Sequence, residues 1–311
     1  MSNMQISDVS ASVRSSFDFD VDKFPLYGPD NMPTDQYGLF RSDTGFIDGV
    51  KSISSRYVPH STDDVCALVE AAADSLFDGE VECKTHWNRG HYVSIKPTQD
   101  RRVSIYGTKD NIFPAVIIRG GFDGKGFHGT MGLFRDACQN LEMLRKVAGA
   151  NVTIRHSSGL RDRMNFLVDT FGNLAEGWEN TIAAAKTMED RKVNFEQFIG
   201  ETFAPKAPSE SDFAACEADP DLKIRAVSVW KKRVEAITKR VKHELGSTRD
   251  RVVAAGEPVG EVSAWLAFNA VQGYVQHDAQ AKQGHKGDFA RILRASVDPS
   301  VRVAESLALG V

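Results

Sequence analysis

The sequence predicts an α+β fold, a mostly antiparallel β-sheet of four to five strands packed with helices and followed by a helical C-terminal region. Three observations carry that reading. Residues 81–96 alternate apolar and polar side chains about the turn Asn88-Arg89-Gly90, residues 62–76 and 221–245 repeat apolar side chains at helical spacing, and beyond Gly159 the composition is that of helices. A chain of 311 residues with 41% hydrophobic content buries a substantial core. By composition it divides into an acidic, partly disordered arm at 1–50, a sheet core at 51–158 and a helical region at 159–311.

The arm is rich in Ser and Asp and holds Pro25, Pro29 and Pro33, which disfavour helix and supply no donor to a sheet. Residues 37–50 predict a strand or hairpin with Asp43, Gly45 and Gly49 at its turns. Ser61 or Thr62 then caps a helix whose first turn carries Asp63 and Asp64, where carboxylates favour the positive end of the dipole. Its core face is Val65, Leu68, Val69, Ala72 and Leu76. From Val81 the period changes to two. Val81, Cys83, Thr85 and Trp87 alternate with Glu82, Lys84 and His86, and after the turn His91, Val93 and Ile95 alternate with Tyr92, Ser94 and Lys96, which describes a β-hairpin. Strands are expected at 102–106, 114–119, 127–134 and 151–156, with a helix over 135–148 closing the sheet and Gly149 stopping it. Helices follow at 161–203, interrupted near Gly172 or Gly177, at 221–245 and at 262–281, with a short helix or strand at 301–309 and a domain boundary at 205–211.

The net charge of −4 hides an uneven distribution. Residues 1–48 carry eight Asp against Arg14, Lys23 and Arg41, whereas residues 223–251 carry ten Lys or Arg against Glu235, Glu244 and Asp250. Such polarity suits assembly or anion binding, and it equally suits two solvated faces. Cys66, Cys83, Cys138 and Cys216 are far apart, form no CxxC pair and fit reduced thiols in a cytoplasmic protein. No secretory signal and no apolar run of membrane length is present, so a soluble, cytoplasmic protein is expected.

Chemistry-bearing motifs are weak. Gly124-Lys125-Gly126-Phe127-His128-Gly129 has the GxGxxG pattern, but it leads into another strand-like run rather than a helix, so a hairpin turn is the expected reading. A GxxxxGK[ST] phosphate loop is absent, the eight histidines have no metal-ligand spacing, and Asp18, Asp20 and Asp22 lie in the arm. No catalytic residue, cofactor or metal is therefore expected. The positive signal is a set of cations interleaved with aromatics: Lys84, Trp87, Arg89, Tyr92, Arg101, Arg102, Arg119, Lys125, Arg135, Arg145 and Arg155. Single-stranded DNA asks for this mixture, since cations follow phosphates and aromatic faces stack on bases. The same residues also suit hairpin packing under a charged surface, and spacing does not choose between the two.

Arg56-Tyr57-Val58-Pro59 before a helix, Phe122-Asp123-Gly124, Arg135-Asp136-Ala137-Cys138-Gln139-Asn140-Leu141, Ile154-Arg155-His156, Ala264-Trp265, and Asn269-Ala270-Val271 through Tyr274 and His277 occur in that order. Together they resemble the phage/plasmid-like family of unknown function (domain of unknown function 932) found on mobile elements. Two departures are Phe122, where the family pattern has His, and Asp136-Ala137, where apolar residues precede the Cys. The strand-rich unit closed by a helix is also similar to the core of radiation-repair single-strand annealing proteins. That resemblance implies binding of single-stranded DNA, or of RNA, along a basic groove, self-association into rings or filaments, and ATP-independent pairing of complementary strands. A second expectation from a different class is a phage protein-interaction factor, an inhibitor or decoy of a host system, working through the acidic arm.

Overall fold

The computed structural model describes residues 2–99, 101–104, 111–122, 126–135, 141–142, 151–248, 259–279 and 298–311. In chain order the elements are β1 (Ser2–Met4), α1 (Ile6–Ser16), β2 (Val21–Tyr27), β3 (Pro33–Arg41), β4 (Gly45–Phe46), β5 (Ile53–Ser54), α2 (Thr62–Leu76), β6 (Val81–Trp87), β7 (Gly90–Pro97), β8 (Val103–Ser104), β9 (Asn111–Gly121), β10 (Phe127–Arg135), β11 (Leu141–Glu142) and β12 (Asn151–Ile154). They continue as α3 (Leu160–Phe171), α4 (Leu174–Asp190), β13 (Lys192–Asn194), α5 (Phe195–Thr202), α6 (Glu210–Ala218), α7 (Arg225–Thr248), β14 (Glu261–Ser263), α8 (Ala264–Gly273) and α9 (Pro299–Leu309). The chain divides into two compact units, one of residues 1–102, 113–134 and 144–181, the other of residues 103–112, 135–143 and 182–311.

The first unit is built on a sheet in the order β1-β6-β7-β9-β10, with β12 on β10. Every pair in it whose register is described is antiparallel. The α+β class expected from periodicity is the class found. The hairpin is the predicted one, pairing Trp87 with His91 and Val81 with Pro97. Arg89 takes the left-handed conformation at its turn, φ 52°. Ser61 caps α2 by accepting from the Asp64 N–H, while Asp64 reaches back to the Ser61 N–H, a complete capping box. Val65, Leu68, Val69, Ala72 and Leu76 are fully buried, as their spacing predicts. The face of the sheet that carries Val81, Val93 and Ile95 is buried against α1 and α2. Two thiols, Cys66 on α2 and Cys83 on β6, lie in this core.

Residues 1–50 are not a disordered arm. β1 pairs with β6, with Met4 opposite Val81, and α1 packs on α2 with Val9, Val13 and Phe17 buried. β2, β3 and β4, with β5 on β3, form a second small sheet. Composition misleads here because the Ser and Asp residues occupy the outer faces while Val9, Val13, Phe17, Val21 and Leu39 supply an inner one. The prolines fit as well. Pro25 lies on β2, the edge strand, where a missing N–H donor is tolerated, and Pro29 lies in the turn between β2 and β3. Val21, Leu39, Ile47, Ile53 and Phe122 form the core beneath this sheet, with Phe19, Tyr37, Tyr57 and Trp87 against it.

A second correction concerns the helix expected over 135–148. Arg135 is the last residue of β10 and Leu141–Glu142 form β11, so sheet pairing overrides the helical period there; residues 136–140 and 143–148 lie outside the described residues. The break between α3 and α4 falls at Gly172, as expected, and Gly177 is inside α4.

In the second unit, α7 buries Val227, Ile237 and Val241 of the predicted stripe and packs on α8, all ten residues of which are buried. A π-type turn, Tyr274–Ala279, continues α8. Residues 205–211, the expected boundary, lie within this unit, where Ser209 caps α6. The Arg191 guanidinium donates to the carbonyls of Leu307 and Ala308 at the end of α9, which Gly310 closes with φ 80°.

Candidate nucleic-acid interface

Register decides which side chains share a face. Glu82 stands opposite Lys96, Lys84 opposite Ser94, His86 opposite Tyr92, and Tyr92 opposite Arg119, so these residues line one face of β6, β7 and β9. Val81, Cys83, Trp87, His91, Val93 and Ile95 line the other, which the helices cover. β1 accompanies β6 only as far as Cys83. Lys84 and His86 therefore follow the stretch of β6 beyond β1, with exposed Arg89 at the hairpin tip.

On this face Glu82 binds both lysines, at 2.9 Å to Lys96 and 3.3 Å to Lys84. Burial alone would raise the Glu82 carboxyl, but Lys96 and then Lys84 outweigh it and hold it below its ordinary value. The Lys84 side chain keeps 41% of its surface in solvent. Tyr92 and Arg119 are buried, and the Arg119 Nε donates to the Tyr92 hydroxyl at 2.8 Å. Tyr92 thus positions Arg119 and offers no open ring for a base.

The remaining predicted contacts are scattered. Trp87 lies on the opposite face, edge-on to Phe19 at 4.8 Å and under the Arg41 guanidinium at 4.6 Å, so it is packing. Arg89 lays its guanidinium over Gly49, where an added Cβ would come within 2.5 Å of it. Arg101 pairs with Asp78 at 3.1 Å, and Arg102 lies 4.7 Å above the Phe113 ring. Arg155 is exposed beyond β12. Arg135 ends β10, and Lys125 and Arg145 lie outside the described residues, as does Gly124 at the start of the glycine motif. Gly126 leads into strand β10 rather than a helix.

Sequence reasoning missed a cluster that the fold assembles from four distant segments. His60, His91 and His156 are all buried, with the His60 ring stacked on Phe122 at 4.4 Å and the His156 centroid 5.2 Å away. The Thr62 hydroxyl donates to the Phe17 carbonyl at 3.1 Å, so its oxygen accepts from His91 Nε2 at 3.3 Å. His91 Nδ1 must then accept, at 2.8 Å, from His60 Nε2. The tautomers follow from this one-way chain, and it leaves His60 Nδ1 as a buried acceptor with no partner. Burial first, then the neighbouring His91 and His156, keep His60 neutral far below its ordinary pKa. Burial, with Arg41 nearby, takes His91 down to about 3. Gly120 makes room for the ring, since a Cβ there would lie 2.0 Å from His60 Nε2. Among the described residues no group of His, Cys, Asp or Glu is arranged to hold a metal ion. The signal available in the sequence was His91 itself, which alternates with Val93 and Ile95 on the apolar face.

In the first unit, α1 and α2 lie against one face of β6 and β7, and Lys84, His86 and Lys96 stand on the other. The family model described as Domain of unknown function (DUF932) matches residues 50–297. That is most of the chain, and the protein belongs to this family. No curated protein and no solved structure matches it. No helix among the described residues is long and apolar enough to cross a membrane.

Proposed function

We propose that this protein binds single-stranded nucleic acid, DNA in the first instance, and promotes pairing of complementary strands without ATP, as an annealing protein of a phage or mobile element. The observation that supports this best is the row Lys96, Lys84 and His86, which runs toward the hairpin tip on the face of β6 and β7 away from α1 and α2. Neither Trp87 nor Tyr92 presents a free ring, so recognition rests on phosphates and leaves base edges available to a second strand. Annealing makes and breaks no covalent bond; it needs only charge neutralisation, an extended backbone and repeated weak contacts along one strand. Similarity to radiation-repair annealing proteins belongs to the same proposal, as does action in the cytoplasm of a bacterial host.

The test is fluorescence anisotropy of an unstructured oligonucleotide across a salt series, with strand pairing followed by energy transfer in the absence of ATP. Affinity falls with salt at a log-log slope of about −0.7 per phosphate neutralised. No binding at low salt overturns the proposal. A second reading, an interaction factor that uses its acidic N-terminal region, is favoured by one observation. The three cations of residues 1–48 are occupied internally: Arg14 by Asp63, Lys23 by the carbonyls of Ser55 and Tyr57, and Arg41 by Asp43. That leaves Asp8, Asp18, Asp20, Asp22, Asp30, Asp35 and Asp48 exposed. Under this reading a host protein, rather than an oligonucleotide, is the ligand that binds tightly.

A further inference from the structure

The small sheet of β2, β3 and β4 has two faces of different character. The inner one packs Val21, Leu39 and Ile47 into the core. On the outer one, Phe24 stands opposite Gly38, and Asp22, Phe40 and Phe46 stand in a row across the strands. Phe24 meets Phe40 edge-on at 5.2 Å and Phe40 meets Phe46 at 5.3 Å. Gly38 lets the side chains close over the strand: a Cβ there would lie 3.0 Å from Phe46 and 3.2 Å from Leu26 and Phe40. These rings are in solvent, Phe24 being 51% and Phe46 47% exposed, with Tyr27 and Met32 exposed at the turn end of the same hairpin. A contiguous apolar patch of this kind on a folded domain marks an interaction site.

Charge indicates what covers it. The patch is bordered by exposed Asp22, Asp30 and Asp35, whose region has spent its own cations elsewhere, so a phosphate backbone is repelled from these rings. What suits an aromatic face rimmed by carboxylates is a cationic amphipathic helix, whose Lys and Arg stems lie on the rings while their charges meet the Asp groups. The chain carries one. On one side of α7, at helical spacing, Arg225, Val229, Lys232 and Lys239 are exposed, with Leu222 just before the helix and one acid, Glu235, beside the lysines; Leu222 is 43% and Val229 47% exposed.

We propose that the β2–β4 face of one copy receives the exposed basic side of α7 from a second copy. The two surfaces are different, so the contact is heterologous and repeats head to tail, giving a ring where its rotation closes and a filament where it does not. The proposal rests on the annealing reading for its use alone. Measured without nucleic acid, its failure leaves strand binding untouched.

Sedimentation velocity of the full-length protein without DNA, over a wide concentration range and at low and high salt, tests it. Average mass rises with concentration and falls with salt. Phe24→Ser with Phe46→Ser, and separately Arg225→Glu with Lys232→Glu, each weaken association about tenfold or more. Mixing the two variant proteins restores one intact contact per pair and yields heterodimers that grow no further. Should the Phe variants lose their cooperative melt, Asp22→Lys and Lys232→Glu replace them: each weakens association alone and the pair restores it. A wild-type monomer at every concentration overturns the proposal. So does association untouched by the α7 substitutions, which indicates a face-to-face contact of two β2–β4 sheets.

Discussion

His60 carries a bare lone pair on Nδ1 in a place where the structure supplies no donor. Protonating that nitrogen would put a charge among Phe122, Phe127 and two other imidazoles, which is why His60 and His91 both stay neutral in the folded protein. The sign of the pH effect follows. The unfolded histidines take up protons near their ordinary pKa of 6.5, while folded His91 does so only at about 3. The stabilisation is fully present above pH 6.5 and is lost as pH falls below it, at about 1.4 kcal/mol per pH unit for each such histidine. Thermal melts taken between about pH 7.5 and 5 should show this decline. In His60→Gln the decline should be shallower by one histidine's share; an unchanged slope means His60 is not held neutral.

Glu82 joins Lys84 of its own strand to Lys96 across the hairpin, and so sets how much cationic charge β6 and β7 offer to a ligand. Glu82→Gln is expected to tighten binding of an oligonucleotide several-fold at low salt, by about 1 kcal/mol, with the gain fading as salt rises. The corresponding Lys84→Gln should weaken binding and reduce the salt slope by about 0.7. At this scale much of the fold was legible before the structure. A period of two marked the hairpin and its faces, and the Ser61-to-Asp64 spacing marked the start of α2. The β3–β4 hairpin fits the strand or hairpin expected at 37–50, but β2 and the start of β3 were not legible, because Pro25, Pro33 and alternating Asp residues look like disorder unless one strand is known to be an edge. The histidine cluster was not legible for a different reason: His60, His91, Phe122 and His156 are adjacent only after four segments meet. The hairpin cations were found, but Arg119 and Tyr92 alternate with apolar residues in the way exposed side chains do, and nothing local shows that their side of β9 is covered.

For the molecule as a whole, residues 1–50 are part of the fold's foundation. Removing residues 1–48 would strip β1 from β6, α1 from α2 and most of a four-stranded sheet from the Phe122 core. Such a truncation is expected to be insoluble or to melt without a cooperative transition, which calorimetry would show at once; a truncated protein that melts as sharply as the full chain contradicts this. The acidic surface is therefore best probed by substitutions such as Asp22→Lys, which leave the buried side of β2 in place.

The buried thiols allow the opening of the first unit to be timed. Burial pushes Cys83 up to about 11 and also raises Cys66, so neither is a thiolate at neutral pH, and neither meets solvent while β6 and α2 are in place. Half-buried Cys216, in the second unit, serves as an internal reference. In a Cys138→Ser background, a thiol-specific reagent should label Cys216 early and the other two together. Their shared rate then counts how often α2 and the sheet part, a clock that a bound oligonucleotide or a drop in pH should slow or quicken.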